Sequence, residues 1–428
     1  MDITYVNHPD ATSECPPIAA RAGDLIFVGG QMPVHPVTGI PAETELLQGM
    51  PYHGSSIEKQ LRYLYGNLDD ALNNIGTDLK HILKINSFHT HTEDIDMALR
   101  VRRDWFDGEN PPPSTLVMTP ELPVKGARAL IDLINVAIDA EMPMEGVSIS
   151  GSPAIAQVKA IGWAIYSQAI KGGGFVFSRG TSPHNAQGPL PETLPEYAFP
   201  YRYDQVQFQF RYEMERLKDL LADAGCSLND VVRVECHMTN MEDISSLDEV
   251  WEEYFPIDPP ARVIIPVPLV SPPMIIETGL IAVDPRGPYR KKIIQAEGVP
   301  APRSPVSQAV KAGPYLFLSG QMATDGINGL APEAQGEESF PFHTSNAKLE
   351  AKYILKNVDA ICRAAGTSVN SIVRRQVHYV DLRDMPKAES VWLQQLNNKL
   401  PPTSSFRTSG PLPIPKCTLQ YDLIAYIP

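Results

Sequence analysis

Three apolar runs along this chain end in the same way. Leu25-Ile26-Phe27-Val28-Gly29-Gly30-Gln31, Phe175-Val176-Phe177-Ser178-Arg179-Gly180-Thr181 and Tyr315-Leu316-Phe317-Leu318-Ser319-Gly320-Gln321 each read as a strand entering a glycine turn. The shared glycines Gly30, Gly180 and Gly320 are 150 and then 140 residues apart, a domain spacing and not a solenoid spacing. After each turn comes a proline- and glycine-rich loop, then apolar residues at three- and four-residue intervals. These are Ile57, Leu61, Leu64, Leu68 and Leu72, then Phe210, Met214, Leu217 and Leu221, then Ala351, Ile354, Val358 and Ile361, and each set predicts an amphipathic helix. Gly76, Gly225 and Gly366 follow these helices as left-handed caps.

Each repeat then continues with a strand (Ile85 to Thr92, Val231 to Asn240, Val373 to Asp381) and a second helix carrying Trp105, Trp251 or Trp392. It closes with a proline-led strand and a nearly continuous apolar one, such as Ala129 to Ile138, which reads as buried on both faces. The pattern predicts an α+β fold in which one β-sheet is backed by two helices, three times over. The copies are placed at 1–145, 146–290 and 291–428, with linkers near Glu141 to Pro153 and Pro285 to Pro302, where proline and glycine concentrate. Because each sheet has an apolar face that a neighbour must cover, the three copies are expected to close on one another as a trimer would. The middle loop, Ser182 to Tyr203, holds Pro183, Pro189, Pro191, Pro195 and Pro200 and is expected to be stiff, as a lid, a cleft wall or a packing strap.

Composition narrows the function. A net charge of −14 argues against a surface that tracks nucleic-acid phosphates, and no apolar run reaches the ~20 residues of a membrane helix. The five cysteines are scattered without a C-x-x-C pair, and the N-terminal Met1-Asp2-Ile3-Thr4-Tyr5 lacks a signal-peptide pattern, so a cytoplasmic setting is expected. His89 and His91 could share a strand face, but no third ligand is fixed by the sequence, and no metal is expected. His237 and His378 match across two copies and are expected at a domain junction. Cys236 and Cys417 read as core residues, and Gly172-Gly173-Gly174 as a hairpin turn.

Tyr166-Ser167-Gln168-Ala169-Ile170, the Ser319-Gly320-Gln321 turn, the helix end Ala365-Gly366 and Pro260-Ala261-Arg262 together resemble the Rid/YjgF family, also called endoribonuclease L-PSP-like. The resemblance spans nearly the whole chain as three divergent tandem copies. It implies a chorismate-mutase-like fold, here an intramolecular pseudo-trimer around a central barrel, with ligand clefts between neighbours. It also implies hydrolysis of reactive enamines or imines to ketones and ammonia, without metal or organic cofactor.

Carried over residue by residue, the resemblance implies an uneven protein. The carboxylate-gripping arginine is Arg262 in the middle copy, with Ser114 and Ser404 in the others. The acidic position is Asp132 in the first copy and Asp422 in the third, while in the middle copy it falls at Gly279, with Glu277 two residues earlier on the same strand face. Tyr166 holds the pocket tyrosine position, and Ser319 keeps the turn serine, replaced by Arg179 in the middle copy. Glu277, Asp132 and Asp422 are thus the catalytic candidates, and Arg262, Arg179, Tyr166 and Ser319 the substrate-binding ones. Arg262 and Arg179 are expected to face one cleft, and a carboxylate ligand to bind once per chain.

The resulting expectation is a cofactor-independent hydrolase of a small anionic enamine, imine or related C–N substrate, working in one principal cleft between the middle copy and a neighbour. A lyase, cyclase or tautomerase on the same scaffold, or a non-catalytic metabolite-binding protein, are the alternatives. The expected partner is a small anionic metabolite, with neither nucleic acid nor membrane, and further oligomerisation is left open.

Overall fold

A computed structural model describes residues 2–12, 14–50, 52–106, 110–147, 155–158, 164–185, 188–196, 198, 204–340 and 343–428. The 148–154 part of the first linker, and residues 186–187, 197 and 199–203 of the proline-rich loop, lie outside the described residues. Three six-stranded sheets repeat one order. In the first copy it is Thr4–Val6, Ala19–Ala22, Leu25–Gln31, Ala129–Val136, Ile82–His89 and Ser114–Met118. The last pair is parallel and the other pairs antiparallel. The second and third copies repeat this with Phe175–Ser178 beside Ile276–Val283, and Tyr315–Leu318 beside Leu419–Tyr426. The last strand of each repeat is central in its sheet, which accounts for its nearly unbroken apolar sequence.

The linkers are not plain coil. Glu145–Gly146 and Lys291–Ile294 each add an edge strand to the sheet of the copy that follows. The triple glycine closes the hairpin between Ala169–Gly172 and Phe175–Ser178, with Gly173 and Gly174 at positive φ.

Two helices back each sheet: α1 Ser56–Asn73 and α2 Ile95–Trp105, α3 Gln205–Asp223 and α4 Ile244–Tyr254, α5 Asn346–Ala365 and α6 Met385–Gln395. The long helices start at side-chain caps: Ser55 accepts from the Glu58 amide, Asp204 from Val206 and Gln207, and Ser345 from Lys348. They stop where Gly76, Gly225 and Gly366 take positive φ. The short helices carry Trp105, Trp251 and Trp392, but not all at one position. Trp251 and Trp392 share the position of Arg102, while Trp105 lies one turn further on. No helix among the described residues is long and apolar enough to cross a membrane.

Each glycine turn packs on another copy. The second glycine turn lies on the parallel edge strand of the first copy, where the Gly180 amide donates to the Ser114 carbonyl at 2.9 Å. The third turn lies on the second copy, where the Gly320 amide donates to the Arg262 carbonyl at 3.0 Å. The first turn lies on the third copy so closely that a Cβ at Gly29 would stand 2.5 Å from the Thr403 nitrogen. Phe27, Ile134, Phe177, Ile281, Phe317 and Ile424 from all three sheets share one apolar cluster.

A buried polar layer adjoins that cluster. Equivalent strand positions hold Lys84, Arg233 and Arg374, each paired in register with an isoleucine of the last strand. Arg233 crosses from the second copy to Asp422 of the third at 2.5 Å, and Arg374 binds the same carboxylate at 2.9 Å. Burial alone would raise the Asp422 pKa, but the two guanidiniums outweigh it and hold it below the usual range. Asp132 accepts from Asn86, Gln376 and Ser404. There burial wins and its pKa is raised.

Candidate functional site

Two clefts run along the seams beside the second copy, and they divide the residues that the sequence put together. The first, about 340 Å³, lies between the second and third copies and is lined by Arg262, Asp248, Ser304, Ser319, Gln420 and apolar side chains such as Ile264 and Val306. The second, about 140 Å³, lies between the first and second copies and is lined by Arg102, Ser114, Tyr166, Arg179, His184 and Glu277, with Leu99, Leu116 and Met274 among its apolar walls. Arg262 and Arg179 therefore face different clefts, contrary to the expectation of a double-arginine pocket. A turn residue of one copy meets the edge strand of the copy before it, so Ser319 joins Arg262 while Arg179 joins Ser114. Asp132 and Asp422 line neither cleft; they are held in the interior polar layer.

In the larger cleft the Arg262 guanidinium stacks 4.5 Å from the Trp251 ring and donates to Asp248 at 2.5 Å. Asp248 also accepts from Ser304 at 2.6 Å. Nη1 of Arg262 is buried without a partner among the described residues. Ser319 Oγ accepts from the Arg262 amide and donates to the Ser307 carbonyl, so this hydroxyl anchors the seam. Gln420, whose Nε2 and Oε1 are both buried without partners among the described residues, stands where the second copy has Glu277. This cleft therefore offers a guanidinium and an amide, and its one carboxylate is already engaged.

The smaller cleft has the free carboxyl. Among the described residues Glu277 forms no ion pair, and burial pushes its pKa up to about 7 even though Lys84 and Arg179 favour the charged form. Lys84 lies behind it, donating to Thr115 Oγ1 and the Ser178 carbonyl at 2.8 Å each. The Lys84 ammonium occupies space that glycine leaves open, since a Cβ at Gly279 would lie 3.3 Å from Nζ. Burial lowers its pKa to about 8, against the pull of Glu235 and Glu277. Arg179 lies 5.3 Å from the Tyr166 ring and is fixed by Gln168 Oε1 at 2.5 Å and the Gly180 carbonyl at 2.9 Å. Ser182 and His184 complete the rim, so the start of the proline-rich loop forms cleft wall.

Register corrects the arginine alignment. Ser114 pairs with Ile85, Arg262 with Val234 and Thr403 with Arg375, so the third-copy counterpart of Arg262 is Thr403, one residue before Ser404. Each copy nevertheless brings a guanidinium to this place, and two of the three escaped sequence reasoning. In the third copy Arg375 donates to Thr403 Oγ1 at 3.1 Å, pairs with Glu389 at 2.5 Å and lies 5.1 Å from the Trp392 ring. In the first copy Arg102, from α2, donates to Ser114 Oγ. The missed signal was Arg102 at the helix position where the other copies carry tryptophan.

His89 is buried with its pKa lowered to about 4 by burial, whereas His91 is exposed, so the two do not converge. His237 and His378 are buried and held neutral at about 4 and about 3 by burial, His378 bonding Gln376 at 2.8 Å beside Phe406. Cys236 and Cys417 are buried thiols pushed up to about 12. His8, Asp10 and His35 come together near the surface. There His35 Nδ1 accepts from the Val37 and Thr38 amides, which leaves the proton on Nε2 to donate to Asp10.

The Endoribonuclease L-PSP family model matches residues 7–137, 157–284 and 297–427. The chain therefore belongs to that family, as three tandem copies. Among its relatives are a RutC family protein of Pyrococcus abyssi, 36% identical over 117 residues, which are 27% of this chain and 84% of the relative. A 2-iminobutanoate/2-iminopropanoate deaminase of Mus musculus is 28% identical over 121 residues, covering 28% of this chain and 81% of that protein. Among solved structures, RidA from the Antarctic bacterium Psychrobacter sp. is 29% identical, covers 32% of this chain and 99% of its own, and has a TM-score of 0.27.

Proposed function

We propose that this family member is a cofactor-independent hydrolase that converts a small anionic imine or enamine to a ketone and ammonia. Its three copies act as one pseudo-trimer around a central barrel, in a cytoplasmic setting, and turnover takes place in the cleft between the first and second copies. The observation that carries this reading is Glu277, a carboxyl without an ion pair among the described residues, poised near neutrality at the wall of a cleft that also holds Tyr166 and Arg179. The deaminase name of the mouse relative supports the reaction class.

In this reading Glu277, as carboxylate, takes a proton from water as the oxygen adds to the C=N carbon. The carboxyl returns that proton to nitrogen to give a carbinolamine; Glu277 then takes the carbinolamine hydroxyl proton and passes it to the same nitrogen as the C–N bond breaks, so that ammonia leaves and the hydroxyl oxygen becomes the carbonyl. Arg179 and the Tyr166 hydroxyl orient the substrate. The test is ammonia release from a freshly generated 2-imino acid by the whole chain: turnover that falls to the uncatalysed rate in Glu277→Gln supports the assignment, and unchanged turnover rejects it.

A second reading applies to the larger cleft. With Gln420 in place of the acid, the Arg262 cleft binds an anionic metabolite and does not hydrolyse it. Arg262 and Ser319 are then binding and seam residues, not parts of a catalytic set.

A further inference from the structure

Arg102 is a buried cation without an acid. The residue is about 5% exposed, Nη1 holds Ser114 Oγ, Nη2 holds the Pro112 carbonyl at 3.2 Å, and Nε is buried with no partner among the described residues. No carboxylate forms an ion pair with it among the described residues, and burial lowers its pKa with only Tyr65 and Tyr166 acting the other way.

The corresponding guanidiniums in the other copies are neutralised from within. Asp248 on α4 pairs with Arg262, and Glu389 on α6, at the same helical position, pairs with Arg375. On α2 that position is Leu99, an apolar wall of the smaller cleft. A buried charge without a counter-ion is costly, and a structure keeps one where something else completes the pair.

We propose that Arg102 grips the carboxylate of the ligand in the cleft between the first and second copies, so that the ligand supplies the counter-ion that Leu99 does not. This deepens the reading of that cleft as the place where a small anionic C–N substrate binds, and it rests on that reading. A guanidinium has five N–H donors, and the two hydrogen bonds described leave three of them for a carboxylate. The strand arginine missing at Ser114 is thereby replaced from a helix. The consequence for selectivity is direct: the smaller cleft attracts an anion with an uncompensated charge, whereas Arg262 in the larger cleft already shares its charge with Asp248.

The test is calorimetric titration of the whole chain with 2-oxobutanoate, a carboxylate with no C–N bond to hydrolyse. Arg102→Met should weaken binding at least tenfold, and Arg102→Lys should recover part of it. Leu99→Asp keeps the guanidinium and copies the Asp248 arrangement, so it should also weaken 2-oxobutanoate while leaving the neutral ketone 2-butanone unaffected. Because Leu99→Asp supplies a counter-ion and removes none, it reports on the grip even if Arg102→Met unfolds. Wild-type affinity for 2-oxobutanoate in folded Leu99→Asp and Arg102→Lys would overturn the proposal, as would a wild-type chain that does not bind it. If the grip is found but a 2-imino acid yields no ammonia, the hydrolase reading fails and the Arg102 assignment stands.

Discussion

Glu277 and Gln420 hold the same register position in two copies, each directly across the strand pair from a histidine, His237 and His378. One seam thus ends in a titratable carboxyl and the other in an amide that cannot ionise.

Glu277→Gln makes the two seams alike. It should lower kcat by about 10²-fold or more with little change in KM, since proton transfer by a positioned group is worth about that much. In the native chain the carboxylate form is required, so the rate should climb with pH through about 7. A pH–rate profile flat from 6 to 8 would exclude Glu277 as the base.

Glu213 makes a prediction about stability. Both its oxygens are buried and lack a hydrogen-bond partner among the described residues, at the helical position filled by Leu64 and Ile354 in the other copies. Burial raises its pKa well above 4.5. Above pH 4.5 the unfolded chain ionises this group while the folded chain keeps it protonated, so its contribution to stability falls as pH rises toward the folded value. Glu213→Leu should therefore stabilise the protein, by roughly 1–3 kcal/mol at neutral pH. Urea unfolding should show a larger gain at pH 8 than at pH 5.

Breaking the Arg262–Asp248 pair should be costly in its own right. Arg262→Ala strands a part-buried carboxylate with only the Ser304 hydroxyl to hold it, at a cost of about 3 kcal/mol. The double variant Arg262→Ala/Asp248→Ala should recover part of this loss in denaturant unfolding. Full additivity of the two single changes would mean that the pair is not coupled.

Gly29 and Gly66 separate seam from helix. A methyl at Gly29 meets the Thr403 backbone at 2.5 Å, so Gly29→Ala should lower Tm by forcing the first and third copies apart. Gly66, inside α1, has nothing within 4 Å of its missing Cβ. Gly66→Ala should raise stability by about 0.5–1 kcal/mol, as for any open helical glycine.

The repeated pattern of strand, turn, helix and cap was legible because it depends on local chemistry: apolar spacing, glycine φ and helix-capping residues. The pairing of residues into clefts was not. Arg179 and Arg262 lie in one copy, and only the packing of each turn onto the preceding copy sends them to opposite seams. Arg102 was hidden for a different reason. On a helix with Arg100 and Arg103 beside it, its charge reads as part of a solvated face, and its burial follows from the fold of a neighbouring edge strand. The third-copy arginine position was misread by one residue because Pro401-Pro402-Thr403 and Pro402-Thr403-Ser404 look alike without the register to Arg375.

The seams joined by the Gly180–Ser114 and Gly320–Arg262 hydrogen bonds lie within one polypeptide. Three separate subunits would have to find one another, and their stability would rise and fall with protein concentration. Here the neighbour is tethered at an effective concentration set by the linkers, so dilution does not open these clefts. A tethered chain also escapes symmetry: a substitution enters one seam once, where a homotrimer would repeat it at three. That freedom lets an acid and an amide stand at equivalent places of two copies, and an unmatched guanidinium stand where the other copies carry tryptophan.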